Sequence, residues 1–407
     1  MSNAISRRKF VAASVAGGLA TLGSRSSRAQ TDKPIKIGVL NDASSVYATL
    51  TGKGSKVAVE LAIEDFGGKL LGRPIELLHS DHQNRVDLGT SIARQWLDVE
   101  GVEALFDIQT SSVTLAVLPL IAKANKIGVV SAATSSDVSG KGCTPVTFQW
   151  TYDAYALARS MPAALAKAGK TKWFLINIDN AAGASLEAEL GRALAQFNCQ
   201  LMGKVKAPFG SSDYTTVLLA AQSSGANVIQ LGASGTDIMN ELRQVKEFGI
   251  DHTAAIAATG TGVMEVHSMG LAATQGLLLT ESFYWDLNDK TRAWSKRYID
   301  RMGVPATMYQ AGNYSGALHY FKAVTKAGTT DGATVARVMK SMPVDDMMSD
   351  NLQVREDGRV VREMYVLKVK SPAESKYPFD YFSVEAKVPG PDIVKPLSES
   401  ECPFVKK

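Results

Sequence analysis

Histidine and cysteine, two residue types that often bind metals or carry covalent chemistry, are scarce in this sequence. Its 407 residues include only five histidines and three cysteines, Cys143, Cys199 and Cys402. The cysteine spacing fits no metal site. The sequence also lacks the motifs of serine hydrolases, zinc proteases and nucleotide-binding loops. These absences predict a protein that is not an enzyme, with no catalytic residues, no metal and no cofactor.

A net positive charge is found only at the N-terminus. The formal net charge is +4, but five basic residues and no acid fall within the first 29 residues. Without those five residues the net charge is −1. A nearly neutral chain lacks the basic surface on which nucleic-acid binding depends. We therefore expect no nucleic-acid partner.

The first 29 residues have the composition of an export signal. Ser6-Arg7-Arg8-Lys9-Phe10 is a twin-arginine pattern, and the apolar run after it, 11–23, is too short to span a bilayer. Ser27-Arg28-Ala29 places small residues at the two positions that a signal peptidase requires. A disordered basic leader is the alternative interpretation. We predict a twin-arginine signal peptide over residues 1–29, cleaved near Ala29, and a mature protein that is exported to the periplasm and soluble.

The three cysteines have different surroundings. Cys143, in Gly-Cys-Thr-Pro, and Cys402, in Glu-Cys-Pro, both lie in turn-like contexts and are able to pair in an oxidising compartment. Cys199 has apolar neighbours and is expected to be a small core residue. The sequence leaves the pairing of Cys143 and Cys402 open.

Short apolar runs alternate with amphipathic segments along the chain after the leader. In the first part, strands are predicted at 35–40, 74–78, 103–108 and 127–130, and helices at 52–66, 86–99 and after Ser111. A second series begins after Tyr152, with strands at 172–178, 228–231, 254–258 and 276–280 and helices at 184–197 and 239–248. Later helices are predicted at 290–302 and 312–327, and a hairpin at 354–360. The pattern predicts an α/β protein with two doubly wound parallel-sheet units in series.

Ligands of open parallel sheets bind at the carboxyl ends of the strands. In the first unit these ends lead into the loops 41–51, 109–112 and 131–136, which are rich in hydroxyl groups and small residues. The first loop carries Tyr47, and the second begins at Gln109. Thr110-Ser111-Ser112 precedes a predicted helix, whose free N–H groups attract an anion. The sequence therefore predicts a site in which uncharged protein groups bind a carboxylate. Simple capping of the helix is the alternative.

Longer stretches of the chain resemble type I periplasmic binding proteins, in the branch that binds branched-chain amino acids. They are IKIGVL, GKGSKVAVELAIEDFGGKLLGRPIELLHSD and TSSVTLAVLPLIAKANKIGVVSAATSSDVSG. Three others resemble a sub-branch linked to aromatic-acid uptake, namely FYWDLNDKTRAWSKRYIDRMG, MYQAGNYSGALHYFKAV and SPAESKYPFDYF. The similarity covers essentially the whole chain after the leader and is specific as a set.

The resemblance implies two lobes joined by three hinge crossovers, with a ligand in the cleft between them. The first lobe is predicted to comprise 31–152 and 282–365, and the second 153–281 and 366–407. The protein would be a monomeric solute-binding subunit that delivers a small carboxylate ligand to the permease and ATPase of an ABC importer. A sensory receptor domain of the same fold, acting through a partner, is an alternative.

One half of the family's binding site is present in the sequence. In the amino-acid binders, a serine in the loop after the third strand binds the ligand carboxylate, together with an alanine backbone group and a threonine one strand along. Ser112, with Ser111 adjacent, matches that serine. Either Ala132 or Ala133 matches the alanine, and Thr134 matches the threonine. The resemblance thus implies that the carboxylate site is retained.

The other half of the family's site differs. Thr259 stands where the family has the acid that binds the ligand's ammonium, and Ala182 and Ser234 stand where it has two tyrosines. Because burying an unpaired ammonium is costly, an acid of benzoate or phenylpropanoid type without an amine fits better. A branched-chain or other amino acid or amide is the alternative ligand. Tyr284 either reaches the cleft or packs within its lobe.

Overall fold

Two separate β-sheets, each flanked by helices, organise residues 33–406, the part of the chain that the computed structural model describes. The predicted signal peptide, 1–29, lies outside these residues. Between residues 33 and 406, no helix has both the length and the apolar character needed to cross a membrane.

The first sheet contains six strands. They are β1 (Ile35–Asn41), β2 (Lys69–Leu70), β3 (Arg73–Asp81), β4 (Val102–Asp107), β5 (Ile127–Val130) and β6 (Thr147–Gln149). Their order is β2-β3-β1-β4-β5-β6, and all neighbours are parallel except β2 and β3. The strand β5 is apolar and fully buried, and β4 is buried except at Glu103, as expected for parallel strands covered on both faces.

The second sheet contains seven strands. They are β7 (Lys172–Ile178), β8 (Gln200–Ala207), β9 (Val228–Leu231), β10 (Ala255–Ala258), β11 (Leu278–Glu281), β12 (Met364–Val369) and β13 (Phe382–Val388). Their order is β13-β12-β11-β10-β9-β7-β8. The strands β12 and β13 add an antiparallel edge to an otherwise parallel sheet. The fold is therefore α/β with two parallel-dominated mixed sheets.

Helices connect the strands and cover the sheets. They are α1 (Gly52–Asp65), α2 (Val86–Arg94), α3 (Ser111–Lys123), α4 (Ala154–Leu165), α5 (Ala181–Gln196), α6 (Thr215–Ser223), α7 (Thr236–Glu247), α8 (Val263–Met269), α9 (Leu271–Thr274), α10 (Asp289–Met302), α11 (Met308–Ala327) and α12 (Gly332–Ser341). A π-helical segment, Gln95–Glu100, continues α2 and places the Trp96 ring against β1. A Cβ on Gly38 would lie 2.3 Å from that ring, so glycine is required there.

The chain passes between the two sheets three times, at 150–153, 282–288 and 361–363. The third passage ends at Met364, where β12 begins, so the predicted lobe boundary at 365 lies inside a strand of the second sheet. The first lobe is here the first sheet with α1–α3 and α10–α12, and the second lobe is the second sheet with α4–α9.

The C-terminal segment returns from the second lobe to the first. Cys402 forms a disulfide bond with Cys143, with a Cα–Cα distance of 5.5 Å. A guanidinium nitrogen of Arg355 donates to the carbonyl oxygen of Lys395 at 2.6 Å. The assignment of all of 366–407 to the second lobe is therefore wrong for its last residues, because side chains of the first lobe hold them.

Candidate ligand-binding cleft

A cavity of about 260 Å³ lies between the two lobes, at the carboxyl ends of strands from both sheets. Nine of the eleven residues that the sequence predicted for the site line it, namely Tyr47, Gln109, Ser111, Ser112, Ala132, Thr134, Ala182, Ser234 and Thr259. They come from six loops that are far apart in the sequence. The first-lobe residues among them were predicted from strand ends, and the three second-lobe residues from the family resemblance.

Two predicted site residues lie elsewhere. Ala133 is fully buried in the core of the first lobe, where its carbonyl oxygen accepts a hydrogen bond from Gln149. Tyr284 packs within the second lobe, with its ring centroid 5.8 Å from that of Phe382 and its hydroxyl donating to the Phe382 carbonyl oxygen. The prediction that they line the cleft is wrong, because each is held by neighbours inside its own lobe.

The segment that leads from β4 into α3 has an unusual backbone. Three of its non-glycine residues have positive φ, with values of 68° at Asp107, 46° at Ile108 and 70° at Thr110. Such conformations cost about 1–3 kcal/mol each and persist only where the surrounding structure holds them. Here they bring the first residues of α3, Ser111 and Ser112, to the cavity.

The N-terminus of α3 is open towards the cavity. No side chain caps this helix, and the Thr110 hydroxyl is buried without a partner among the described residues. The first N–H groups of a helix have no partner within the helix and carry partial positive charge. The Ser111 hydroxyl accepts a hydrogen bond from the Ser135 N–H at 3.0 Å, which joins this segment to the loop after β5. The arrangement suits an anion.

Gln109 holds the neighbouring loop between β1 and α1. Its carbonyl oxygen accepts hydrogen bonds from the Asp42 N–H at 2.9 Å and the Thr51 hydroxyl at 2.8 Å. The Asp42 carboxylate in turn accepts hydrogen bonds from the backbone N–H groups of Ser45 and Tyr47, at 2.8 and 3.0 Å. The loop that places Tyr47 against the cavity is thus fixed by its own side chains and by Gln109.

The second lobe contributes a wall of small residues. Asn180 caps α5 by accepting a hydrogen bond from the Gly183 N–H at 2.8 Å. A Cβ on Gly183 would lie 2.0 Å from the carbonyl oxygen of Ile178, which explains the glycine. The Thr259 hydroxyl donates to the Leu231 carbonyl oxygen at 3.1 Å. Because Ala182 and its neighbours are small, this side of the cavity stays wide.

Aromatic and aliphatic side chains that were not predicted from the sequence complete the cavity. Tyr152 and Tyr309 meet edge to face with ring centroids 5.7 Å apart, and the Tyr152 hydroxyl is 3.2 Å from that of Thr134. Burial raises the pKa of Tyr152 to about 12, so its phenol stays neutral. The other apolar lining residues are Leu50, Leu157, Leu186 and Phe209. Most of these follow crossovers or belong to helices, so a search of strand-end loops does not find them.

Charge is nearly absent from the cavity wall. Among its described lining residues, Asp179 alone carries a formal charge. Its side chain is 72% exposed and forms an ion pair with Lys206 at 2.8 Å. The wall therefore offers hydroxyl and N–H groups on one side and apolar surface on the other, with no buried charge facing the interior.

Two α/β lobes, with a ligand-sized cavity where the strand ends of both sheets meet, define a two-lobed ligand-binding protein. A family model described as "Periplasmic binding protein" matches residues 34–376, and the chain belongs to this family. Its fold is that of the type I members. The family consists of substrate-binding transport proteins, not enzymes.

Solved structures agree with this assignment. A periplasmic binding protein from Burkholderia mallei is 37% identical, with a TM-score of 0.88 over 92% of this chain and 99% of that one. A branched-chain amino acid ABC transporter periplasmic ligand-binding protein from Burkholderia xenovorans is also 37% identical, with a TM-score of 0.84 over 91% and 100%. A solute-binding protein from Rhodopseudomonas palustris in complex with benzoate is 18% identical, with a TM-score of 0.78 over 88% and 97%. The chain is a solute-binding protein of an ABC transporter of the branched-chain amino acid type.

Proposed function

We propose that this protein binds a small aromatic acid, of benzoate or phenylpropanoid type, in the cleft and delivers it to the permease and ATPase of an ABC importer. The observation that carries the proposal is the uncapped N-terminus of α3, which faces a cavity without a buried charged side chain. In this proposal Ser111, Ser112, Thr134 and the backbone at Ala132 hold the carboxylate. Ala182, Ser234 and Thr259 leave room for the ring.

An amino-acid ligand fits the same cavity less well. Its ammonium group would need a buried acceptor of opposite charge, since an unpaired buried charge is strongly penalised. The position that the resemblance aligns with the family's acid holds Thr259, whose hydroxyl donates to the Leu231 carbonyl oxygen. Asp179 is at the rim, exposed and paired with Lys206. An acid without an amine avoids this cost.

The apolar half of the cavity supplies the remaining affinity. Hydrogen bonds to a charged group contribute roughly 1.5–3 kcal/mol each. Burial of a ring contributes about 25 cal/mol per Å² of apolar surface. Three or four such bonds and one buried ring are sufficient for the ~8 kcal/mol of a micromolar complex after the costs of binding.

The relatives support two ligand classes to different degrees. The benzoate complex from Rhodopseudomonas palustris is a distant neighbour, so it supports only the compatibility of this fold with an aromatic acid. The Burkholderia xenovorans protein is nearer in sequence, and its description favours a branched-chain amino acid as the second candidate. Isothermal titration calorimetry on the mature protein distinguishes them.

We expect benzoate, 4-hydroxybenzoate or cinnamate to bind about 100-fold more tightly than leucine or valine, a difference of about 2.7 kcal/mol. The reason is the missing acceptor for an ammonium group. Tight binding of leucine with no heat from any aromatic acid would contradict the proposal. The proposal also includes a monomer that is exported to the periplasm by the twin-arginine leader.

A further inference from the structure

The loop 42–51, between β1 and α1, reaches across the mouth of the cleft to the second lobe. The carbonyl oxygen of Val46 accepts a hydrogen bond from the Thr236 N–H at 3.3 Å. The Tyr47 hydroxyl accepts one from the Asn180 amide at 3.4 Å. The Thr49 hydroxyl donates to the Glu265 carboxylate at 3.1 Å. The Tyr47 ring also contacts that of Phe209, with 5.8 Å between the ring centroids.

Gln109 contacts this loop near both its ends and at its middle. Its carbonyl oxygen accepts hydrogen bonds from Asp42 and Thr51, and its amide nitrogen donates to the Tyr47 carbonyl oxygen at 3.2 Å. The residue is buried, with 2% of its surface exposed. Three of its hydrogen-bonding positions are therefore occupied by the loop, although part of the side chain borders the cavity.

We propose that Gln109 is a positioning residue that holds loop 42–51 as a preformed latch for the second lobe, rather than a residue that binds the ligand. The proposal goes beyond the ligand assignment, because a latch of this kind acts for any ligand that the cleft accepts. It replaces the expectation from the sequence that Gln109 contacts the ligand.

The physical reason is the cost of ordering a loop. A loop that is already ordered in the open protein makes its contacts with the second lobe without losing backbone freedom at closure. Its bonds to Thr236, Asn180 and Glu265 exist only when the lobes meet, so they favour the closed form. The Glu265 acceptor is itself fixed, because its other oxygen accepts from the Gly262 N–H at 3.0 Å.

Hydrogen exchange in the ligand-free protein tests the role of Gln109 directly. Gln109→Met preserves the size of the side chain and removes its three hydrogen bonds. A matched control is Gln149→Met, since Gln149 is also buried and also makes three bonds, to Ala133, Ser135 and Ser139. We expect amide exchange in 42–51 to become about 10-fold faster in the first variant and to stay unchanged in the second. Equal exchange in all three proteins would overturn the proposal.

A double-mutant cycle then tests the latch. Thr49→Val removes the bond to Glu265, and we expect benzoate affinity to fall about 5-fold. Gln109→Met is expected to weaken benzoate about 10-fold, and the double variant to be little weaker than Gln109→Met alone, because a disordered loop no longer presents Thr49. If the affinity losses of the two single variants multiply in the double variant, the latch proposal is overturned. Absence of benzoate binding in the unaltered protein would contradict the proposed ligand, while the exchange result would still decide the role of Gln109.

Discussion

The helices α3 and α5 begin on opposite sides of the same cavity, one in each lobe, and their first turns differ. Asn180 caps α5, and its backbone is extended, with φ −151°. Thr110 precedes α3 with φ 70° and does not cap it. Both residue types are favourable caps in general. The difference therefore comes from the backbone and not from the choice of residue.

The first turns of α3 and α5 differ in which hydrogen-bonding groups they leave open to a ligand. At α5 the Asn180 side chain accepts a hydrogen bond from the Gly183 N–H, so the protein itself satisfies one of the first N–H groups. At α3 the first N–H groups and the Thr110 hydroxyl stay available, at the cost of a strained segment. A strained wall with an uncapped helix start in the first lobe, facing a relaxed wall with a capped helix start in the second, is expected where a ligand completes the structure.

The largest effect should come from placing a carboxylate at each helix start. Thr110→Asp puts a negative charge beside the open N–H groups of α3, where it competes with the ligand and repels it. We expect benzoate to bind about 1,000-fold more weakly, a loss of about 4.1 kcal/mol. Calorimetry measures the affinity, and thermal unfolding should show that the fold is retained.

Asn180→Asp is the matched control, because it introduces the same charge at the capped helix start. Aspartate caps a helix about as well as asparagine, so the loss of benzoate affinity should stay within about 10-fold, or about 1.4 kcal/mol. Equal losses in the two variants would mean that the two helix starts are equivalent and that the comparison is wrong.

Much of the fold followed from the alternation of apolar segments. The strand predicted at 172–178 is β7, and the helix predicted at 290–302 is α10 within one residue at its start. The hairpin predicted at 354–360 is present as a single antiparallel bridge between Val354 and Val360. The edge strand β8 was missed, because Gly203, Lys204 and Lys206 interrupt its apolar residues and most of the strand is only partly buried or exposed. The strands β12 and β13 were missed as well, since their pairing depends on the return of the chain after the third passage.

The site was less predictable, because its walls depend on tertiary contacts. Hydroxyl-rich loops at strand ends pointed to Ser111, Ser112 and Thr134, since strand direction alone places them at one edge. Tyr309 lies on α11, more than 150 residues beyond Tyr152, and only the packed structure brings the two rings together. The positive φ at Thr110 has no signature in the residue type. For that reason the sequence left capping and ligand binding as open alternatives.

The strands that precede the two helices also differ. The pH dependence of the free energy of unfolding should reveal this difference. β7 ends with Ile178, whereas β4 ends with the buried Asp107, whose carboxylate accepts a hydrogen bond from the Asn41 amide at 2.9 Å. Burial raises the pKa of Asp107 from 3.8 to about 6. The folded protein therefore holds this proton more tightly than the unfolded chain. The stability that the group contributes is fully present below about pH 4 and is lost as pH rises through 6.

Asp107→Asn should remove this pH dependence. A shift of about two pKa units corresponds to roughly 3 kcal/mol as an upper bound, and we expect about 2 kcal/mol. The free energy of unfolding of the variant, relative to the unaltered protein, should rise by that amount between pH 4 and pH 7.5 in urea titrations. A constant difference across this range would show that Asp107 is already ionised at pH 4 in the folded protein, so that burial does not raise the pKa of this carboxyl group.

The smallest expected effect concerns the relaxed wall. Thr259→Glu places a carboxylate at the position that the resemblance aligns with the acid of the amino-acid binders, opposite the proposed carboxylate site. We expect benzoate to weaken about 10-fold by charge repulsion, or about 1.4 kcal/mol, and leucine to gain measurable affinity because its ammonium acquires a partner. Thr259→Gln, which adds the same bulk without charge, separates repulsion from crowding. If both variants weaken benzoate equally and leucine gains nothing from Glu, position 259 limits only the size of the ligand. The absence of an acid there would then not explain selectivity.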